Sequence, residues 1–403
     1  MLAIRTAHGT PIEPFGERAI ELPILGTPLG ELQERLLAEH GVSITDTIPK
    51  DQPWLWIGDD LWFTPTLLRK FLATCPPTGG QLAVDGVYRQ HTESLQDLDA
   101  EGRLPLALLP SGATLDDLAS LPPITVDQQL VEHTLPLSHP AFAGVADRPF
   151  PVTAAMAHTI RHWAHLMQVN QLALLSFALH KREHIEASVL RKIGFALKIF
   201  WRAKSIHPAK LEAAVTEHGK GCKIHPTAVI EASILGDDVT VGAGVVIRHS
   251  WIGNGVQIGD QVRVTNSVIH ERSIVAPQAN IFLCLLLPHA FVSAGVGHQI
   301  SVFGRESFIA AGVTIYDLSF GGPIKTQHRG ERVSSGVRFL GACIGHRARI
   351  GPHVRIGYGE TIPNDSFLVA DPDQLVRDLP VSASDGEPRF VRNRQLYLVK
   401  GPR

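Results

Sequence analysis

From Cys222 onward the apolar residues keep a spacing that neither a helix nor an alternating strand produces. Ile224, Ile230, Leu235, Val241, Ile247, Ile252, Ile258, Val264, Ile269, Val275 and Ile281 are separated by 6, 5, 6, 6, 5, 6, 6, 5, 6 and 6 residues. Four residues after most of them stands another small or apolar residue: Ala228, Ile234, Val239, Val245, Val256, Val262, Val268 and Ala279. Helices repeat every 3.6 residues and strands every 2, so the pattern is that of a hexapeptide repeat. Each unit makes one short strand and one turn, and three units close a triangular coil. The recurring 5 shortens one corner and gives a coil of about 17 residues. The spacing predicts a left-handed parallel β-helix over 221–372. Phe303, Ile309 and Ile315 resume the pattern, and Ile344, Ile350, Ile356, Ile362 and Leu368 finish it. Between Tyr316 and Phe339 the rhythm breaks, which reads as a loop thrown out from one corner. A solenoid tolerates this because each coil touches only its neighbours.

Upstream the pattern changes twice. Residues 1–148 read as an α/β domain with a mostly parallel sheet, since strands alternate with helices. "GTPLGELQERLLAEHG" places Leu29, Leu32, Leu36 and Leu37 on one helical face, with Gly41 as a stop. "PWLWIGDDLWF" is a buried strand ending at Gly58 and two aspartates, and "TPTLLRKFLATC" is a helix capped by Thr64. Residues 149–220 are nearly free of Gly and Pro in their helical stretches and predict a connector of two or three helices. Their wide apolar faces imply packing against another part of the molecule. Residues 373–403 lose the repeat and form a tail expected on the outside of the prism.

Composition narrows the picture by exclusion. The formal net charge is −2 over 403 residues. That balance gives no overall electrostatic footprint for nucleic acid or for an anionic membrane. The longest apolar runs, such as "NIFLCLLL", are too short to span a bilayer. The opening "MLAIRTAHGTPIEP" lacks signal-peptide features. Cys75, Cys222, Cys284 and Cys343 have no metal or redox spacing. The expectation is a cytoplasmic protein with no resident metal.

The repeat resembles that of the hexapeptide acyltransferases, and the domain order resembles the bifunctional sugar-1-phosphate nucleotidyltransferase/acetyltransferase group. "LPILGTPLGELQERLLAEHGV" looks like that family's sugar-nucleotidyltransferase stretch, and "WLWIGDDLWF" like its strand ending in Gly-Asp. "GERVSSGVRFLGACIGHRARIG" resembles a stretch of its β-helix. The resemblance implies a Rossmann-like nucleotidyltransferase sheet followed by a trimeric β-helix that uses acetyl-CoA. It would put Mg²⁺ on Asp59. Against this, "AHGTPIEPFGERAIELP" stands where the family has a Gly-rich phosphate loop, and Thr27 replaces the lysine expected after Gly26. A triphosphate site without its glycines and cations is degenerate. Asp59 and Asp60 then read as solvated turn acids.

For acyl transfer the resemblance assigns His298, in "GHQISVFGRES", as general base, with Asp317 orienting its imidazole. His289 is a second histidine near the same place. Lys325, Arg329, Arg332 and Arg338 form, with His328, a basic loop. It reads either as a solvated excursion or as a clamp for the phosphates of CoA or a sugar. The expected function is CoA-dependent acyl transfer to a small amine or hydroxyl acceptor such as a sugar or sugar nucleotide, by a homotrimer. The alternatives are a catalytically inactive assembly or regulatory subunit, and a nucleotidyltransferase with an altered loop.

Overall fold

The computed structural model describes residues 1–96, 98–128, 131–133, 150–186, 188–205, 207–295, 297–374, 389–393 and 395–398. The expected boundary at residue 148 and most of the expected tail lie outside them.

The first unit is built on a six-stranded sheet in the order Ser43–Ile44, Leu2–Thr6, Trp54–Gly58, Arg103–Leu109, Gly80–Ala83 and Pro123–Thr125. Leu2–Thr6 pairs parallel with both of its neighbours, whereas Arg103–Leu109 runs antiparallel to both of its own. The sheet is therefore mixed, where alternating strands and helices suggested a mostly parallel one. An antiparallel neighbour needs no crossover helix on the opposite face, and the strand pattern alone does not reveal direction. Helices α1 (Leu29–Glu39) and α2 (Pro65–Thr74) form where the amphipathic patterns place them. Thr64 accepts the Leu67 N–H at 3.3 Å, closing the first turn of α2 beside Pro65. A short helix α3 (Gly86–Thr92) follows.

The connector holds three helices, α4 (Trp163–Glu186), α5 (Val189–Ala203) and α6 (Pro208–Val215). Its opening segment is not helical. Ala157–Thr159 pairs antiparallel with Leu61–Phe63 and so extends the α/β unit.

The rest is a left-handed β-helix with three faces. Face 1 stacks eight two-residue strands from Glu217–His218 to Thr361–Ile362, and face 2 stacks eight from Lys223–Ile224 to Phe367–Leu368. Face 3 stacks five from Val229–Glu231 to His298–Gln299, and the pair Thr314–Ile315 and Arg355–Ile356 lies beyond them. All neighbours in these stacks are parallel, so each inward side chain sits on its counterpart one coil away: Ile230 on Ile247, Val264 and Ile281, for example. The interior is a mostly aliphatic column from Leu235 to Ile356.

Serines lock one corner. Ser233, Ser250 and Ser267 recur at 17 residues, and each hydroxyl donates to the carbonyl two residues back. Each also accepts the N–H of the next rung, at 3.1 Å. This pairs polar groups that a dry corner would leave unmade.

The α/β unit and α4 cover face 1. Val268, Leu285, Val302 and Cys343 point outward from that face, yet they join one core with Leu166, Val169 and Leu172 of α4. The turn 23–28 also docks there. Gly26 has a φ of +82°, and a Cβ on it would meet the Trp251 ring at 2.9 Å. Asn170 of α4 holds the same turn, accepting the Leu25 N–H and donating to the Pro23 carbonyl. The packing expected of the connector is therefore packing between the two domains.

Candidate functional site

Two places gather the polar groups that chemistry would need: the strand ends of the α/β sheet, and the insertion with its neighbouring coils.

At the sheet, Asp59 and Asp60 follow Trp54–Gly58. Both are buried, which corrects the expectation of solvated turn acids. Asp59 takes the Arg18 guanidinium at 2.7 Å on one oxygen and the His8 backbone N–H at 2.9 Å on the other. Asp60 receives Arg161 Nε at 3.0 Å and lies 3.1 Å from His8 Nδ1. Burial alone would raise the Asp60 carboxyl, but His8 and Arg161 overcome it and hold the group below the ordinary range. Arg161 also donates to the Gln96 carbonyl. The Arg18 guanidinium already stands 2.7 Å from the Asp59 carboxylate, where a divalent cation would need that charge for itself. The residues present do not fit the Mg²⁺ that the resemblance would place on Asp59.

In the β-helix, His298 does not stand at an open corner. It pairs in register with Ile281, so its ring takes an inward position of the repeat. Leu286 and Val292 fill the two inward positions before it, so the ladder continues where its spacing had been read as pausing. The ring has no exposed surface and meets Phe303 edge-on at 5.7 Å. Nε2 lies 3.2 Å from the Ser293 carbonyl, and Nδ1 has no hydrogen-bond partner among the described residues. Burial lowers its pKa despite the Ser293 bond, so the imidazole stays neutral. No hydrogen bond or ion pair among the described residues joins it to Asp317. That acid is half-buried just past Thr314–Ile315, and burial raises its pKa. His289 is exposed at a corner with a φ of +61°.

The insertion is a clasp between the domains. Lys325–His328 and Glu331–Ser334 form an antiparallel hairpin. Arg332 pairs with Glu360 at 2.7 Å and donates to the Lys325 carbonyl. Arg338 donates to the Ser319 and Phe320 carbonyls at 3.2 and 2.9 Å. These two arginines therefore brace the loop, and neither offers an open fork for a phosphate. Lys325 and Arg329 are exposed at the hairpin. Ile324, Thr326, Ser335 and Leu340 are buried, so the segment is not a solvated excursion.

Its inner side meets a histidine cluster that the sequence reading passed over. His162 Nε2 lies 3.0 Å from the Gln327 carbonyl, and its ring stands 5.6 Å from that of His328. His165 Nε2 lies 2.7 Å from the Ser94 carbonyl, and its ring is 4.9 Å from that of His158. Burial pushes the His162 pKa down to about 3, and His165 well below its ordinary value. The run "HTIRHWAH" shows this spacing in the sequence. On the other side of the junction, Glu17 is ion-paired with Arg305, and Phe15 stacks on His346 at 4.6 Å. His270 is buried nearby, and neither ring nitrogen has a hydrogen-bond partner among the described residues. Burial and the Arg305 charge bring its pKa to about 3.

This geometry can be set beside known proteins. A family model described as the GMPPB C-terminal domain matches residues 202–302, the end of α5 through the first coils. The bifunctional protein GlmU of Methylococcus capsulatus is 28% identical over 176 residues, 40% of this chain and 37% of that protein. Its counterpart in Ruthia magnifica is 27% identical over 186 residues, 45% of this chain and 38% of that protein. Over those stretches this chain is similar to GlmU. The matched region spans under two fifths of those curated relatives. Among solved structures, the polysialic acid O-acetyltransferase OatWY is 18% identical over 46% of this chain and 91% of its own, with a TM-score of 0.17. The product of the Bacillus cereus gene BC4754 is 18% identical over 42% of this chain and 86% of its own, with a TM-score of 0.15. The strand ladders themselves carry the description of the fold here.

Proposed function

We propose that this chain is an assembly or binding subunit built on an acyltransferase scaffold, and that it does not itself turn over acetyl-CoA or a nucleoside triphosphate. One observation carries this reading. Five of the polar groups suited to chemistry are committed within the chain: Asp59 to Arg18, Asp60 to Arg161, Arg332 to Glu360, Arg338 to loop carbonyls, and His298 to the prism interior. A general base must reach the proton it abstracts, and a ring with no exposed surface does not. Of the loop cations, Arg332 and Arg338 are engaged with Glu360 and with backbone carbonyls, which leaves Lys325 and Arg329 at the exposed hairpin.

Assembly follows from the faces. Face 1 is covered by the chain's own α/β unit. Face 2 presents Ile274, Phe291 and Phe308 in register, with the two rings stacked at 4.9 Å and Phe308 exposed. We place the contact with sister copies, or with an active relative of the same class, on that face, and expect a trimer.

The test is a pair of assays on the full chain. Acetyl-CoA with amine and sugar acceptors should release no free CoA. The four nucleoside triphosphates with sugar phosphates and Mg²⁺ should release no pyrophosphate. CoA release that His298→Ala abolishes in a protein with an unchanged melting temperature would overturn this reading in favour of acyl transfer.

A further inference from the structure

Helix α5 carries two apolar faces, and among the described residues only one has a partner. Phe195, Ile199 and Ala203 pack on Leu211 and Ala214 of α6. Val189, Ile193, Leu197, Phe200 and Trp201 are 53% to 80% exposed. At about 100° per residue those five fall within an arc of about 120°, turned away from the packed stripe. The helix contains Arg191, Lys192, Lys198 and Arg202 and no acidic residue, and Lys204 caps its C-terminus. Lys192, Lys198 and Lys204 are exposed. The net charge of −2 conceals this local separation.

We infer that α5 lies in the surface plane of an anionic bilayer, with Leu197, Phe200 and Trp201 among the acyl chains and the lysines at the lipid phosphates. An apolar arc with exposed tryptophan, flanked by cations, is the pattern of an interfacial helix. Charge complementarity favours lipid over a second copy. A two-fold self-contact of this helix would set its cations against the same cations of the partner. The helix lies on the membrane and does not cross it, since no helix among the described residues is long and apolar enough to span one. The inference is independent of whether the chain turns over a substrate.

The full chain is sedimented with phosphatidylcholine vesicles, with and without phosphatidylserine, at low and high salt. The bound fraction should be roughly tenfold or more higher with phosphatidylserine and should fall with salt. Trp201→Glu and Lys198→Glu should each release the protein while leaving its melting temperature unchanged, because both side chains are exposed. The inference is overturned if neither vesicle binds, or if both variants bind like the parent. It is equally overturned if sedimentation velocity shows Trp201→Glu breaking an oligomer while vesicles stay unbound. That last result would assign the face to a second copy.

Discussion

Asp60 has no exposed side-chain surface, whereas Arg332 keeps nearly half of its side chain, 47%, in water; both are ion-paired. The sheet end and the insertion invite the same reading from sequence, a charged site waiting for a phosphate or a metal. In the structure both sets of charges serve the protein itself, under different physics. At the sheet the Asp60–Arg161 pair is nearly dry, so removing one partner strands a buried charge. At the insertion water screens the Arg332 pair, and its geometry matters more than its energy.

The largest expected effect is at the sheet. Asp60→Ala leaves Arg161 and His8 without their acid and should cost about 3–5 kcal/mol, read by urea denaturation. A loss below about 1 kcal/mol would mean that water already reaches the pair. The pair also has a pH signature. The folded Asp60 pKa lies below its ordinary value. Its contribution is therefore complete above an unfolded pKa of about 3.9 and lost as pH falls through the lower native value.

The buried histidines come next, with a distinct window. His162 and His270 have folded pKa values of about 3 against an ordinary 6.5. Below pH 6.5 the unfolded chain takes up protons that the folded chain refuses, so stability falls from there toward pH 3. Melting temperature followed between neutral pH and pH 4 should drop, and His270→Leu should flatten the slope. A slope unchanged by that substitution would place water or a proton at the ring.

In the insertion, Arg338→Ala removes two charged hydrogen bonds to carbonyls and should cost about 1–3 kcal/mol. Hydrogen exchange should then quicken at Lys325–Ser334. Arg332→Ala should cost about 0–1 kcal/mol and leave exchange in the α/β unit unchanged. If Arg332 proves the costlier of the two, the exposed pair is not screened and the contrast drawn above fails.

The β-helix was legible because its period is its fold. Even the address of His298 was readable, since it stands 17 residues after Ile281 and so falls at an inward position. Motif matching pointed to that residue, while the repeat phase would have turned its ring inward. The serine ladder at Ser233, Ser250 and Ser267 was equally visible in the period. The α/β unit was only partly legible, because one antiparallel strand, Arg103–Leu109, leaves no mark in a hydrophobic pattern. The burial of Asp59 and Asp60 was not legible at all. It depends on Arg161 and Arg18, which are distant in sequence and meet the acids only after the domain closes. The role of the insertion likewise depends on which face the α/β unit covers, and outward Val268, Leu285 and Val302 signal that face only once the coil is drawn.

Whether His298 is sealed decides between a scaffold and a working base. Deuterium exchange at the imidazole C2 position, followed by mass spectrometry across pH, reads both solvent access and protonation for each histidine. His298 should exchange far more slowly than exposed His289, with a titration midpoint below the ordinary histidine value. Exchange at His298 as fast as at His289, with a midpoint near neutral pH, would contradict this and return His298 to the role of a working base.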